Sequence, residues 1–267
     1  MTTQALDAWT TVRTQLDSML DSLTDQEWQE PSACPGWRVR DLLAHLGASA
    51  RAAIDPLPDP PDAPALPDNR ERQHDVFVDR RRDWSVDEVV KEYREYGSKL
   101  VELVTTLQAE PAASQPFPVP GLGVYPAHSL ANAMVFDYYC HLRHDLLAPH
   151  GPIERALPAP EHATVHAAVT WMMLGLPQMQ GDALDDTITA PITLHLTGPG
   201  QSEWTIHRPD PAGGLVVDER GGADVVVTSD AHAFVAWATQ RHPWQQDCSI
   251  IGDPSVATPL LDALNII

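Results

Sequence analysis

Two separated segments carry the residue types best suited to chemistry: CPGWRVRDLLAHL, residues 34–46, with His45, and FDYYCHLRHDLL, residues 136–147, with Asp137, His141 and His144. If the second segment is helical, Asp137 and His141 stand at i and i+4 on one face, where two side chains can hold a single ion. A histidine from another helix, His45, would complete a three-ligand set of nitrogen and oxygen donors. Such a set, with a fourth position open, is the usual arrangement of catalytic zinc. An internally hydrogen-bonded Asp–His pair without an ion explains the same spacing.

The elements that must position these residues are helices. At helical spacing Leu130, Met134, Asp137, His141 and His144 share one stripe, so Asp137 and His141 are expected to face inward, where a carboxylate needs a cation or hydrogen-bond donors. His45 lies on the flank of a stripe formed by Val39, Leu42, Leu43 and Leu46. Taken alone it reads as a surface or structural histidine.

The first half predicts four long helices, at about 4–24, from after the Pro35-Gly36 turn signal to about 54, at 84–109 and at 127–147. Two proline-rich stretches separate them: DPLPDPPDAPALPD, residues 55–68, read as a linker or lid, and EPAASQPFPVPGLGVYP, residues 110–126, read as a loop. Four amphipathic helices bury their faces best against one another, and bundles build metal sites from facing helices. A bridging helix at 160–177 follows. Short alternating segments ITAPITLHL, SEWTIHR, GLVVDE and DVVVTS then predict strands, with Pro191 suited to an edge or bulge. A helix is expected after the capping residues Ser229 and Asp230, and a last one after Asp253-Pro254. The fold class expected is therefore two-domain: an all-α four-helix bundle over 1–150 and a bridging helix with a smaller α+β domain over 151–267. The length of 267 residues agrees with two domains.

A net charge of -20 argues against nucleic acid and anionic membranes as partners. No apolar run is long enough to span a bilayer, and MTTQALDAW lacks the basic start and apolar core of an export signal, so a cytoplasmic protein is expected. Cys34, Cys140 and Cys248 form no CxxC pair and suggest neither a disulfide framework nor a thiolate zinc cluster. A nucleophilic cysteine at Cys34 or Cys140 competes with the commoner reading of buried structural thiols.

The CPGWRVRDLLAHL segment, joined to a later acid-x-x-x-His helix and an α+β tail, resembles the mycothiol-dependent maleylpyruvate isomerase family of the DinB-like metalloproteins. The resemblance runs over nearly the whole chain. It implies a four-helix bundle holding a divalent metal, zinc foremost, on His45, Asp137 and His141, and a sterol-carrier-like α+β domain. Family members carry a Gly-Arg-Arg-like stretch where this chain has Gln240, Arg241 and His242, so the resemblance makes Arg241 an anion-binding catalytic residue. Two positions depart from the pattern: the acidic ligand is usually Glu rather than Asp137, and many members have Asp where this chain has His144. His144 is thereby an extra ligand, a general base or a group that supports the ligands.

The activity implied is isomerisation in which mycothiol thiolate adds to the cis double bond of maleylpyruvate, the resulting single bond rotates, and elimination releases fumarylpyruvate. The partners implied are a low-molecular-weight thiol and a small electrophile. A mycothiol S-transferase shares the thiolate step. A noncatalytic carrier of a small ligand is the alternative from another class.

Overall fold

Helix formation in the first half of the chain follows its apolar spacing. The computed structural model describes residues 3–58, 67, 70–210 and 213–266. Helix α1 spans Thr3–Leu20, α2 Val39–Ile54, α3 Arg70–Asp79 and α4 Val86–Thr106. The start of α4 is set by Ser85, whose hydroxyl accepts from the Glu88 amide while the Glu88 carboxylate accepts from the Ser85 amide, a reciprocal cap. Helix α3 was not expected: its sequence RERQHDVFVD has no apolar stripe. The proline-rich stretch 55–68, expected as a linker or lid, lies largely outside the described residues.

The described residues group into two compact units. One comprises Arg13–Gln115 and His141–Leu157, the other Met1–Val12, Pro116–Cys140 and Pro158–Ile267. In the first, α2 and α4 approach so closely at Gly47 that a Cβ there would stand 3.0 Å from the Tyr93 backbone nitrogen. The two helices pack against each other, and Leu42, Leu43 and Leu46 of α2 and Val89, Tyr93 and Leu100 of α4 are buried. Glu92, 4% exposed on the buried face of α4, is answered by Arg81, whose Nη2 lies 2.8 Å from Oε1 and whose Nε also donates to Oε2, and by Arg51 at 3.2 Å. A buried carboxylate is tolerated only with such partners.

The second unit begins with part of α1, where Trp9 is fully buried with its ring 5.8 Å from that of Tyr138. The stretch expected as a loop forms an antiparallel hairpin, β1 Pro116–Val119 and β2 Gly123–Pro126, with Phe117 opposite Tyr125. Prolines fit because each strand has only one partner and leaves alternate amides unpaired. Helix α5, Leu130–Cys140, leads into a π-helical turn, His141–Leu146, that belongs to the first unit; α6 spans His162–Met179 and α7 Gly181–Leu184.

The sheet strands are β3 Ile192–Thr197, β4 Ser202–His207, β5 Val216–Asp218, β6 Val225–Asp230 and β7 Cys248–Ile251, in the order β5-β4-β3-β6-β7. Strands β3 and β6 are parallel and the other pairs antiparallel, so the sheet is mixed. Alternate residues Leu194, Leu196, Trp204, Ile206, Val225 and Val227 supply a buried face. Helices α8, Ala231–Trp237, and α9, Pro254–Ala263, pack with β6. The Asp230 carboxylate caps α8 by accepting from the His232 and Ala233 amides, and Asp253 caps α9 with Pro254 in its first turn. Strand β7 was not expected. Pro191 precedes β3 rather than bulging within it.

Candidate metal centre

Residues 34–37 form a tight turn in which the Trp37 amide donates to the Cys34 carbonyl at 3.1 Å and Gly36 adopts φ 82°. Proline at the second position and a left-handed third residue define a type II turn, which glycine alone adopts without strain. The turn delivers Trp37 and Arg38 to the start of α2. Asp41, at the third position of that helix, accepts from the Arg38 amide at 2.9 Å, from its guanidinium at 2.8 and 3.0 Å, and from Arg82 at 2.6 Å. Burial pushes the Asp41 carboxyl up, but these hydrogen bonds and charges outweigh it and hold the group below the usual carboxylate range. The start of α2 is therefore locked, and His45 follows one turn after Asp41.

His45 is 6% exposed and boxed by rings: Trp37 at 5.2 Å, His74 at 4.5 Å edge-on, and His141 at 5.0 Å edge-on, as centroid separations. Of the two readings it has when taken alone, a surface or a structural histidine, burial excludes the surface one. His74, from the unexpected α3, and Trp37 were not foreseen as neighbours of the site. Trp37 had a signal in its place within the CPGW turn, whereas His74 had none in the polar sequence of α3.

His141 is 7% exposed and opens the π turn that continues α5. Asp137, half-buried, stands one helical turn before it. The ligand atoms that His45 and Asp137 can offer each lie within 4.8 Å of that of His141. Two imidazoles with one carboxylate are the donor types that zinc takes. On its Nδ1 edge His141 meets Asp145 Oδ2 at 2.8 Å and, at 4.0 Å, Cys34 Sγ. Cys34, His141 and Asp145 form a second group of possible ligands within the same 4.8 Å limit.

The stripe expected on the second segment is modified in two ways. Leu130, Met134 and Asp137 are only half-buried, because α5 is packed on more than one side and its buried residues are Ala131, Ala133, Val135, Phe136, Tyr138, Tyr139 and Cys140. His144 is not carried along the stripe: hydrogen bonding to the fifth rather than the fourth residue changes the number of residues per turn after His141. It is 2% exposed, with the His150 ring 6.3 Å away, and belongs to neither ligand group.

Arg241 lies in the second unit, just past α8. The amides of Gln240 and Arg241 donate to the carbonyls of Trp237 and Ala236, and Gln240 has φ 56°, which together make the left-handed termination that usually employs glycine. Arg241 is half-buried and lines a surface cleft of about 400 Å³ with Trp237, His242, Trp244 and Asp262. Two cysteines are poorly suited to nucleophilic work: Cys140 is buried, and burial pushes the Cys248 thiol up to about 12. Among the described residues no helix is long and apolar enough to cross a membrane.

Comparison with known proteins is consistent with this architecture. The family model described as the mycothiol maleylpyruvate isomerase N-terminal domain matches residues 9–146, slightly more than half of the chain. No curated protein matches. Two solved structures, of the mycothiol-dependent maleylpyruvate isomerase and of a histidine-to-alanine mutant of it, are 13% and 12% identical to this chain. Each superposes with a TM-score of 0.56 over 94% of this chain and 92% of its own. At that identity the likeness shows the fold, a helical part followed by an α+β part.

Proposed function

This chain belongs to the mycothiol maleylpyruvate isomerase N-terminal domain family, and from that premise we propose that it is an enzyme of the mycothiol-dependent maleylpyruvate isomerase type. Its substrates are a small unsaturated keto acid and a low-molecular-weight thiol. The observation that carries this reading is the buried imidazole pair of His45 and His141 with Asp137 one turn before His141. In this reading those three residues hold a divalent ion, zinc by the chemistry of the donors. A bound zinc lowers the pKa of a thiol, so that thiolate is available near neutral pH.

The chain's own residues supply the rest. Trp37 and His74 surround His45 and keep it in place. The guanidinium of Arg241 pairs with a substrate carboxylate, where a planar fork matches two oxygens. His144 serves as a buried neighbour of the ligands and not as one of them. The family reading also makes the helical part a DinB-like four-helix bundle and the α+β part a sterol-carrier-like module, in a cytoplasmic protein.

Product analysis after incubating metal-loaded protein with mycothiol and maleylpyruvate tests the reaction. Fumarylpyruvate is expected only when both metal and thiol are present. A stable thiol conjugate with this or another electrophile would instead identify an S-transferase, and no turnover with any electrophile would leave a carrier. His141→Ala should remove most of the metal measured by elemental analysis; full occupancy would refute the ligand assignment.

A further inference from the structure

His141 has two ring nitrogens, and a ligand can use only the one that carries no proton. Its Nδ1 lies 2.8 Å from Oδ2 of Asp145, a carboxylate 1% exposed. A carboxylate that deeply buried accepts from a donor, so the Nδ1 edge carries the proton and the lone pair lies on Nε2. Asp145 is itself anchored: its backbone carbonyl accepts from the Ala33 amide at 3.0 Å, which ties it to the turn that holds Cys34.

The pair is local, four residues apart within the π turn, and the turn decides which neighbour of His141 does not join it. Hydrogen bonds to the fifth residue spread more residues over each turn than in an α-helix, so the residue three positions after His141 is carried off its face while the residue four positions on stays on it. Thus Asp145, not His144, meets the imidazole. The family acid that resemblance places at the position of His144 has a counterpart one residue later.

We propose that Asp145 is a positioning residue that fixes His141 in its Nδ1–H tautomer and aims Nε2 at the metal position. The consequence for metal binding rests on the function proposed above. The rival assignment uses the opposite edge of the ring, with Cys34, Nδ1 of His141 and Asp145 all as ligands. It would break the 2.8 Å hydrogen bond and draw a sulfur now 4.0 Å from Nδ1 into the shell.

Nitrogen NMR of the His141 ring in the metal-free full-length protein reads the tautomer directly, without any assumption about metal. The expected result is Nδ1–H in the native chain and a mixed or Nε2–H signal in Asp145→Ala, with Asp145→Asn, which keeps an acceptor, close to native. Competition with a chelator should show zinc affinity reduced by about 10–100-fold in Asp145→Ala and by less in Asp145→Asn. An Nε2–H tautomer in the native protein, or a tautomer and affinity unchanged in Asp145→Ala, would overturn the proposal. So would a thiolate-to-metal charge-transfer band in the cobalt-loaded protein that disappears in Cys34→Ser. If the native chain binds no zinc, the metal assignment fails while the tautomer still decides the role of Asp145.

Discussion

The indole of Trp37 lies against the imidazole of His45, with ring centroids 5.2 Å apart and planes inclined by 35°, while its N–H donates to Asp75 of α3 at 3.0 Å. One side chain thus joins the type II turn, the helix bearing His45 and the helix bearing His74.

Replacing Trp37 should accordingly affect stability and metal binding together. Trp37→Ala removes a nearly buried indole and is expected to cost about 3 kcal/mol. Trp37→Phe keeps a ring but loses the bond to Asp75, and is expected to cost about 1 kcal/mol. Urea midpoints and zinc titration of both variants check this. Native metal affinity in folded Trp37→Ala would show that the indole does not hold His45.

Asp41→Asn should destabilise the chain by about 2–3 kcal/mol at neutral pH, because it removes the charge that faces Arg38 and Arg82 from a buried site. The folded carboxyl sits below its ordinary value, so its contribution is complete above about pH 3.9 and is lost as pH falls through the lower folded pKa. The native and variant stability curves, measured by denaturant unfolding across that range, should converge in acid. Parallel curves would contradict the assignment.

Gln240 occupies a left-handed position where a non-glycine residue costs roughly 1–2 kcal/mol. Gln240→Gly should raise stability by about 0.5 kcal/mol after the Gln240 side-chain bond to the Leu264 carbonyl is lost, and Tm by about 1–2 °C. Gln240→Val should act in the opposite direction. Calorimetry that found both variants less stable would show that the bond to Leu264 matters more than the backbone.

Arg241→Ala should lower kcat/KM for a dianionic substrate such as maleylpyruvate by roughly 10²-fold, about 3 kcal/mol of transition-state stabilisation, with metal content unchanged. An uncharged electrophile should be affected far less. Equal, small effects on both substrate types would leave Arg241 a surface residue.

Much of this arrangement was legible in the sequence because it rests on local rules. Pro35 and Gly36 mark the turn, Val39, Leu42, Leu43 and Leu46 mark α2, and the four-residue interval marks Asp137 and His141. Helix α3 was not legible, since its neighbours rather than an apolar stripe hold it, and His74 was lost with it. Strands β1 and β2 were hidden by prolines that only a two-stranded hairpin tolerates. The π turn leaves no mark in residue type, so the three-residue interval from His141 to His144 misled, and the four-residue interval to Asp145, which holds in either kind of turn, went unread.

The burial of Trp9 against Tyr138 has a consequence for how the chain is made. During synthesis α1 leaves the ribosome more than a hundred residues ahead of its aromatic partner, and the unit to which Trp9 belongs also draws on residues up to Ile267. Until those arrive, the indole of Trp9 has no partner from that side and stays open to solvent. Contacts so distant in sequence form late and slowly.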